Sequence, residues 1–119
     1  MSCVTLVKAF IDRTADIDPY LGIVSVPLYD KALKRAAELD ILLESGTDLG
    51  ALMCIPFGIK DHHQIYDDDV TTYGHILFSY NIQTVKSTLA NHLIQYGAIP
   101  IAKTLLGTFA SGSGNGWGM

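Results

Sequence analysis

Short apolar segments alternate with stretches of helical periodicity along this chain, and this alternation limits the folds that it can adopt. Helical periodicity covers 5–17, 30–43 and 84–96, whereas short apolar runs occupy 21–27, 51–59 and 98–102. Helices between strands act as crossovers, so the pattern predicts an α/β fold with parallel strand pairing. A parallel sheet is normally covered on both faces. The few helices and strands predicted here cannot complete such a covering, and they leave sheet edges open. The pattern therefore predicts the opening part of a larger doubly wound domain.

Capping residues set the expected helix boundaries. Asp18-Pro19 is expected to close the first helix, and Asp30 is expected to cap the start of the second. Thr84 is the expected N-cap of the third helix, and Gly97 is its expected terminator. The segment 61–81 has no clean period, so we expect a long loop with one short helical turn.

Lys60 ends the apolar run 51–59, in which Pro56 predicts an edge or bulged strand. A lysine with an ordinary pKa near 10.4 is neutral in only about one molecule in 2,500 at pH 7 and is a poor base. Desolvation lowers the pKa of a buried lysine. A decrease of about three pKa units costs about 4 kcal/mol of free energy, which the rest of the fold must supply. The position therefore suggests a buried, uncharged amine that accepts protons. The structural alternative is a surface lysine that lies along apolar groups.

Composition and charge argue against several kinds of partner. Apolar residues make up 49% of the chain and charged residues 17%, so a disordered chain is excluded and part of the surface is expected to be covered. A net charge of −4, with 8 dispersed basic residues, predicts neither a nucleic-acid partner nor an anionic membrane partner. The N-terminus lacks the features of a signal peptide or membrane span, which predicts a cytoplasmic location. Cys3 and Cys54 are expected to be buried free thiols.

Several segments form one ordered pattern along nearly the whole chain. They are LVKAFIDRTADIDPYL at 6–21, ALKRAAELDILLESG at 32–46, IPFGIKD at 55–61, TTYG at 71–74, and QYGAIPIAKT at 95–104 followed by LLGTFASG at 105–112. In order and spacing this pattern resembles the N-terminal portion of the amidase signature family. Cys54, His62 and His75 stand where that family has glycine, asparagine and serine.

The resemblance implies that residues 1–119 form part of an amidase domain, an α/β/α sandwich with a mixed, largely parallel sheet. It divides the chain into a helical N-terminus at 1–46, a strand-loop-helix-strand part at 51–104 and a Gly/Ser-rich tail at 105–119. The sheet, incomplete as it stands, leaves an uncovered edge through which the chain could self-associate.

The resemblance also implies hydrolysis of carboxamide C–N bonds by a Ser-Ser-Lys triad, with a small amide as substrate and no cofactor. Lys60 matches the lysine that acts as the ultimate base, while a bridging serine relays the proton and a second serine attacks the carbonyl. In the family both serines lie in a Gly/Ser-rich segment beyond the residues present here. The chain alone is therefore expected to be inactive.

Five further residues are assigned supporting or binding roles. Asp61 is expected to position the turn after the strand through hydrogen bonds to backbone N–H groups. Lys103 is expected to lie at the sheet rim or to form an ion pair with Asp61. The resemblance implies that Phe109 and Ala110, together with Trp117, line the acyl-binding cleft, and packing within a core or loop is the alternative.

Metal binding and two other function classes have weaker support in the sequence. His62, His63 and the triplet 67–69 have suitable ligand types, but adjacent histidines usually diverge and acidic triplets are usually solvated, so no metal site is predicted. A Schiff-base lysine enzyme usually needs a barrel that so few units cannot build. A non-catalytic relic or interaction module, whose uncovered face pairs with a partner, is the main alternative.

Overall fold

Three helices and three strands alternate along residues 1–110, the part of the chain that the computed structural model describes. They are α1 (Cys3–Leu21), β1 (Val24–Pro27), α2 (Tyr29–Glu44), β2 (Pro56–Lys60), α3 (Thr88–Gln95) and β3 (Ile99–Thr104), with 3-10 turns at Ile76–Phe78 and Thr108–Ala110. The long loop 61–81 contains one short turn, as predicted. Residues 111–119 of the predicted Gly/Ser-rich tail, which include Trp117, lie outside the described residues.

Helix α1 is longer than its sequence signals predict. The Ser2 side chain caps its start by accepting a hydrogen bond from the Thr5 N–H. The expected end at Asp18-Pro19 is wrong, because Pro19 lies inside the last turn, where its missing N–H removes only one helical hydrogen bond. The helix ends instead at Gly22, whose left-handed backbone places its N–H on the Asp18 carbonyl.

The starts of α2 and α3 also differ from the predicted caps. Asp30 lies in the first turn of α2, where its charge favours the helix dipole, and the N-cap position is Leu28. Thr84 is not the cap of α3, because Ser87 accepts a hydrogen bond from the Ala90 N–H and the helix begins one residue later. Gly97 follows α3 with a positive φ of 90°, which agrees with its predicted role as terminator.

The sheet has the order β1-β3-β2, with β3 in the centre. β2 runs parallel to β3, whereas β1 is antiparallel to it, so the sheet is mixed, as the resemblance implied. The parallel pairing expected from the helix-strand alternation is therefore wrong for β1. β2 is an outer strand with a register shift between Phe57 and Gly58, which confirms the prediction of an edge or bulged strand from Pro56.

Apolar side chains from α1, α2 and β3 form the larger of two core clusters. Its buried members are Cys3, Val7, Ile11, Ala32, Ala36, Leu39, Ile99, Ile101 and Ala102. Leu28, Ile59, Ile65 and Ala90 form the second cluster. Within residues 1–110, no helix combines the length and apolarity needed to cross a membrane.

Cys3 and Cys54 form a disulfide, so the prediction of two free thiols is wrong. Their Cα atoms lie 5.0 Å apart, a normal separation for such a bond. Residues 51 positions apart meet because α1 starts beside the turn that leads into β2, and the Cys3 N–H is fixed there by the Asp40 carboxylate. The disulfide therefore joins the start of α1 to the approach to Lys60.

Candidate active-site edge of the sheet

The carboxyl ends of β2 and β3 define the candidate site. These strands are parallel, and Lys60 lies opposite Thr104 in their register. The Asp61 N–H donates to the Thr104 carbonyl at 3.0 Å, so the pairing continues one residue past the strand. In open α/β sheets, ligands bind outside the carboxyl ends of the strands. The sequence motifs around Lys60 and Lys103 therefore meet at the edge where such a site is expected.

Lys60 is exposed, so the expectation of a buried amine is wrong for this structure. The preceding Ile59 is buried in the second core cluster, and the alternation of side chains along a strand turns Lys60 to the opposite side. At Lys60 this opposite face of the sheet is open to solvent within the described residues. The Lys60 side chain is therefore accessible to solvent in the described residues.

Asp61 is fully buried directly behind Lys60. Its Oδ2 accepts hydrogen bonds from the Ser25 hydroxyl and the Thr72 hydroxyl, both at 2.5 Å. Its Oδ1 accepts from the Thr72 N–H at 3.2 Å. These contacts tie the end of β2 to β1 and to the loop that follows, and two of the three are with side chains rather than with the expected backbone N–H groups.

Lys103 is also fully buried, beside Asp61 and not at the sheet rim. Its Nζ lies 2.8 Å from Asp69 Oδ2 and 3.7 Å from Asp61 Oδ1. It also donates to the Thr71 hydroxyl at 2.8 Å and to the Val70 carbonyl at 2.5 Å. One ammonium group is therefore paired with two carboxylates, and we call Asp61, Asp69 and Lys103 the buried ion cluster.

The sequence interpretation missed Asp69 and Gln64. It expected the triplet 67–69 to be solvated, which holds for Asp67 and Asp68 but not for the buried Asp69. Gln64 is buried and donates to Asp69 Oδ1 at 2.8 Å, while its own Oε1 accepts from the Thr71 hydroxyl at 2.6 Å. A glutamine and the third aspartate of a triplet carry no sequence pattern that separates them from surface residues.

The imidazoles of His62 and His63 lie on the loop directly after Asp61. Burial lowers the pKa of His62, with a further contribution from the Lys60 charge and an opposing one from Asp61. Burial also lowers the pKa of His63, helped by His62 and Lys103. The expected divergence of the two rings is wrong, because their centroids are 4.0 Å apart. Residues 1–110 nevertheless contain no group of three or more side chains arranged to hold a metal.

Phe109 belongs to a group of rings near the same strand ends. It stacks on His75 with a centroid distance of 5.3 Å and meets Phe78 edge-on at 5.8 Å, while Tyr73 meets Phe78 at 6.0 Å. The Phe109 N–H donates to the Tyr73 carbonyl, and the Tyr73 N–H donates to the Asp61 carbonyl. We call Tyr73, His75, Phe78 and Phe109 the aromatic face. Phe109 and the following Ala110 are exposed.

Comparisons of sequence identify related proteins along nearly the whole chain. The Amidase family model matches residues 5–115. A glutamyl-tRNA(Gln) amidotransferase subunit of Thermosynechococcus vestitus is 35% identical over 112 residues, which are 94% of this chain and 23% of that protein. The corresponding mitochondrial subunit of Xenopus tropicalis is 35% identical over 90% of this chain and 20% of its own length. The chain thus spans between a fifth and a quarter of the length of these relatives.

Solved structures show the same arrangement. The peptide amidase from Stenotrophomonas maltophilia superposes with a TM-score of 0.83 at 29% identity, over 93% of this chain and 23% of that enzyme. A fatty acid amide hydrolase gives a TM-score of 0.79 at 27% identity, over 89% of this chain and 19% of that protein. These matches confirm the α/β fold. The matched part is 23% of the first enzyme and 19% of the second.

Proposed function

The chain belongs to the amidase family, and on this premise we propose that it supplies the base-bearing N-terminal part of an enzyme that hydrolyses carboxamide C–N bonds. The observation that carries the proposal is the family match over residues 5–115, which includes Lys60 at the carboxyl end of β2. We assign the role of base to Lys60 and the role of substrate to a small amide.

The proposed reaction uses two serines of the family's Ser-Ser-Lys triad together with Lys60. The attacking serine loses its proton through the bridging serine to an uncharged lysine amine, and its oxygen bonds to the amide carbonyl carbon. Backbone N–H groups would stabilise the tetrahedral oxyanion. The C–N bond then breaks as the leaving amine takes the proton, and water hydrolyses the acyl-enzyme. Since the two serines come from another segment, we expect no turnover by the 119-residue polypeptide alone.

The exposure of Lys60 in residues 1–110 fits a base that is completed by another part of the enzyme. An ammonium group in water is a poor base at pH 7, and desolvation by a covering segment favours the neutral amine. A side chain on an outer strand can be covered in this way without any change in its own strand. The open environment of Lys60 in the described residues is therefore compatible with the proposal, which needs a covering segment to desolvate the amine.

The neighbouring residues take supporting roles in the proposal. Asp61 and Lys103 hold the end of β2 against β3 through the buried ion cluster, which fixes the backbone from which Lys60 projects. Phe109 and Ala110 would contact the acyl part of the substrate, because they lie beyond the carboxyl end of β3. No cofactor or metal enters this scheme.

A chimera tests the proposal. Residues 5–115 of this chain would replace the matched segment of the Stenotrophomonas maltophilia peptide amidase, and release of ammonia from a peptide amide would be measured. We expect activity that Lys60→Ala lowers at least roughly 100-fold, as for loss of a general base. Lys34→Ala, which removes an exposed lysine from α2, is the matched control and should leave the rate unchanged. A folded, active chimera that is indifferent to Lys60→Ala would refute the assignment.

The second candidate function is a non-catalytic interaction module. The exposed apolar side chains of Ile76, Leu77 and Phe109 favour it, because apolar surface of this kind often marks a binding site. A serine-directed fluorophosphonate discriminates between the two functions. Under the hydrolase proposal the probe leaves the 119-residue chain unlabelled, and it labels the chimera in a way that depends on Lys60. If the chain is only a binding module, Lys60→Ala changes the labelling of neither polypeptide. A cytoplasmic location, the absence of a nucleic-acid partner and self-association through a sheet edge remain predictions.

A further inference from the structure

The turn at residues 51–54, which leads into β2, ends in a residue with the backbone conformation of a glycine. Cys54 has a φ of 66°, in the left-handed region, where a Cβ is crowded by the neighbouring backbone. The amidase signature pattern has glycine at this position, and glycine adopts such a φ without strain. A non-glycine residue stays there only where its surroundings enforce the conformation. The contacts of Cys54 therefore determine the shape of this turn.

A hydrogen bond and the disulfide hold Cys54 in this conformation. Its N–H donates to the Gly97 carbonyl at 2.9 Å, and its sulfur is bonded to the sulfur of Cys3. The pairing of β2 with β3 follows at once, because the Ile99 N–H donates to the Ile55 carbonyl at 2.9 Å. The position of Cys54 thus sets the start of β2.

The other end of the disulfide is anchored independently of this turn. The Cys3 N–H donates to Asp40 Oδ1 at 2.7 Å and the Val4 N–H donates to Asp40 Oδ2 at 3.1 Å, which ties the first turn of α1 to α2. Cys3 is buried, whereas Cys54 is partly exposed. Cleavage of the disulfide would leave Cys3 in place and allow Cys54, the strained residue, to relax.

We propose that Cys3 and Cys54 form a thiol–disulfide switch. The oxidised form holds the turn 51–54 and the start of β2 in order, and the reduced form lets both relax. The sequence predicts a cytoplasmic location, and the disulfides that form in the cytosol are usually transient and redox-sensing. The switch acts on the strand that carries Lys60 but does not require Lys60 to be a base.

A dithiol reduces the switch in two exchange steps. One thiolate of the reductant attacks the sulfur of Cys54, the less buried of the two residues, and the S–S bond breaks with Cys3 leaving as a thiolate. The second thiolate of the reductant then displaces Cys54 from the mixed disulfide. Two electrons and two protons pass in total from the dithiol to Cys3 and Cys54, and the dithiol becomes a disulfide. Oxidised glutathione reverses the reaction by the same kind of exchange.

Nuclear magnetic resonance of the 119-residue chain tests the switch. Backbone shifts and couplings report the φ of the native chain and do not depend on its free energy of unfolding, while the cysteine Cβ shifts report whether the bond is present. We expect dithiothreitol to move the resonances of residues 51–56 and to take Cys54 out of the left-handed conformation. Oxidised glutathione should restore both. The Asp61 amide, bonded to the Thr104 carbonyl at the other end of β2, should keep its resonance.

Two double variants separate the strain at residue 54 from the loss of the bond. Cys3→Ala, Cys54→Ala retains a Cβ at residue 54 and should give the turn resonances of the reduced chain. Cys3→Ala, Cys54→Gly should keep the left-handed turn without any bond, because glycine tolerates that φ. Neither double variant should respond to dithiothreitol.

Three results would overturn the inference. They are identical turn resonances in the oxidised and reduced chains, loss of the left-handed turn in the Cys54→Gly variant as well, and two thiols that oxidised glutathione does not join. Dispersed resonances from α2 and β3 in each sample show that a changed turn is not a lost fold. The segment transferred to the chimera begins at residue 5 and lacks Cys3, so the activity of the chimera tests the base whereas the spectra test the switch.

Discussion

At the scale of single residues, Lys103 shows how a charge can be buried at the centre of the sheet. An isolated buried ammonium group is very costly, but carboxylates and hydrogen bonds can offset the cost. Lys103 has the Asp69 carboxylate at 2.8 Å, the Thr71 hydroxyl at 2.8 Å and Asp61 at 3.7 Å. Removing one member of such a cluster leaves the others uncompensated, so the cluster is a sensitive point for stability.

We predict that Lys103→Met lowers the free energy of unfolding by about 3–5 kcal/mol, because it leaves two buried carboxylates without their cation. Urea denaturation at pH 7 measures the change. The double variant Lys103→Met, Asp69→Asn should lose less than the sum of the two single losses, because the amide removes one unpaired charge.

An exposed ion pair supplies the control for this prediction. Lys8 pairs with Asp12 on the surface of α1, with both side chains about 60% exposed. Lys8→Met should therefore cost less than about 1 kcal/mol. If Lys103→Met and Lys8→Met cost the same, the buried ion cluster does not carry the stability assigned to it.

The contrast between Lys60 and Lys103 shows what the sequence could predict of the site. Sequence motifs identify both lysines, Asp61 and the two strands that carry the lysines. They can do so because each motif includes the strand end at which these residues lie. The sequence predicts burial of Lys60, whereas the structure buries Lys103. Burial depends on which strand is central and which is outer, and this is a property of the whole sheet. Asp69 enters the site only through the path of the long loop, which no local pattern specifies.

At the scale of elements, the start of α3 is coupled to the loop after β2. Ser87 caps the helix, its N–H donates to the Gln64 carbonyl, and its hydroxyl lies 2.7 Å from His63 Nδ1. Burial lowers the pKa of His63, so the folded protein favours the neutral ring. Protonation of this ring should therefore loosen the contact between helix and loop.

We predict that stability falls as the pH is lowered through the range in which an unfolded histidine titrates, around pH 6.5. With a folded pKa below the unfolded one, the unfolded state binds more protons, so the contribution of His63 is present above that range and lost below it. Urea denaturation at pH 7.5 and pH 5.5 measures the loss. The loss of unfolding free energy between these two pH values should be smaller in His63→Asn. Part of the loss should remain, because burial also lowers the pKa of His62.

His92 supplies the comparison, because it is an exposed histidine on α3 itself. The His92→Asn variant is measured by urea denaturation at the same two pH values. If His63→Asn and His92→Asn show the same pH dependence, the contact between His63 and Ser87 does not couple titration to folding.

Element types were more predictable than element ends and directions. Periodicity identified all three described helices, because an amphipathic face is a local property of the sequence. Their ends depended on competition between signals: Gly22 prevailed over Pro19, and Ser87 over Thr84. The antiparallel direction of β1 could not be predicted, since it follows from how α1 and α2 pack on β3 and not from any pattern within Val24–Pro27.

At the scale of the whole molecule, the disulfide is a covalent link between two parts of the chain that are distant in sequence. It connects α1 to the turn before β2 across a sequence separation of 51 residues. A cross-link over a loop of this length restricts the unfolded chain and stabilises a small domain by about 2–4 kcal/mol. That contribution is large for a chain whose described residues form a sheet of three strands.

We therefore predict that reduction of the Cys3–Cys54 bond lowers the free energy of unfolding by about 2–4 kcal/mol, through the greater freedom of the unfolded chain. Urea denaturation with and without dithiothreitol measures the loss. The variant Cys3→Ala, Cys54→Ala should be destabilised to a similar extent and should not respond to the reductant, which separates loss of the bond from any other effect of dithiothreitol. Two titratable thiols in the denatured, unreduced chain, or equal stability with and without reductant, would contradict the prediction. The approach to Lys60 would then be held by packing and by backbone hydrogen bonds such as that from the Cys54 N–H to the Gly97 carbonyl.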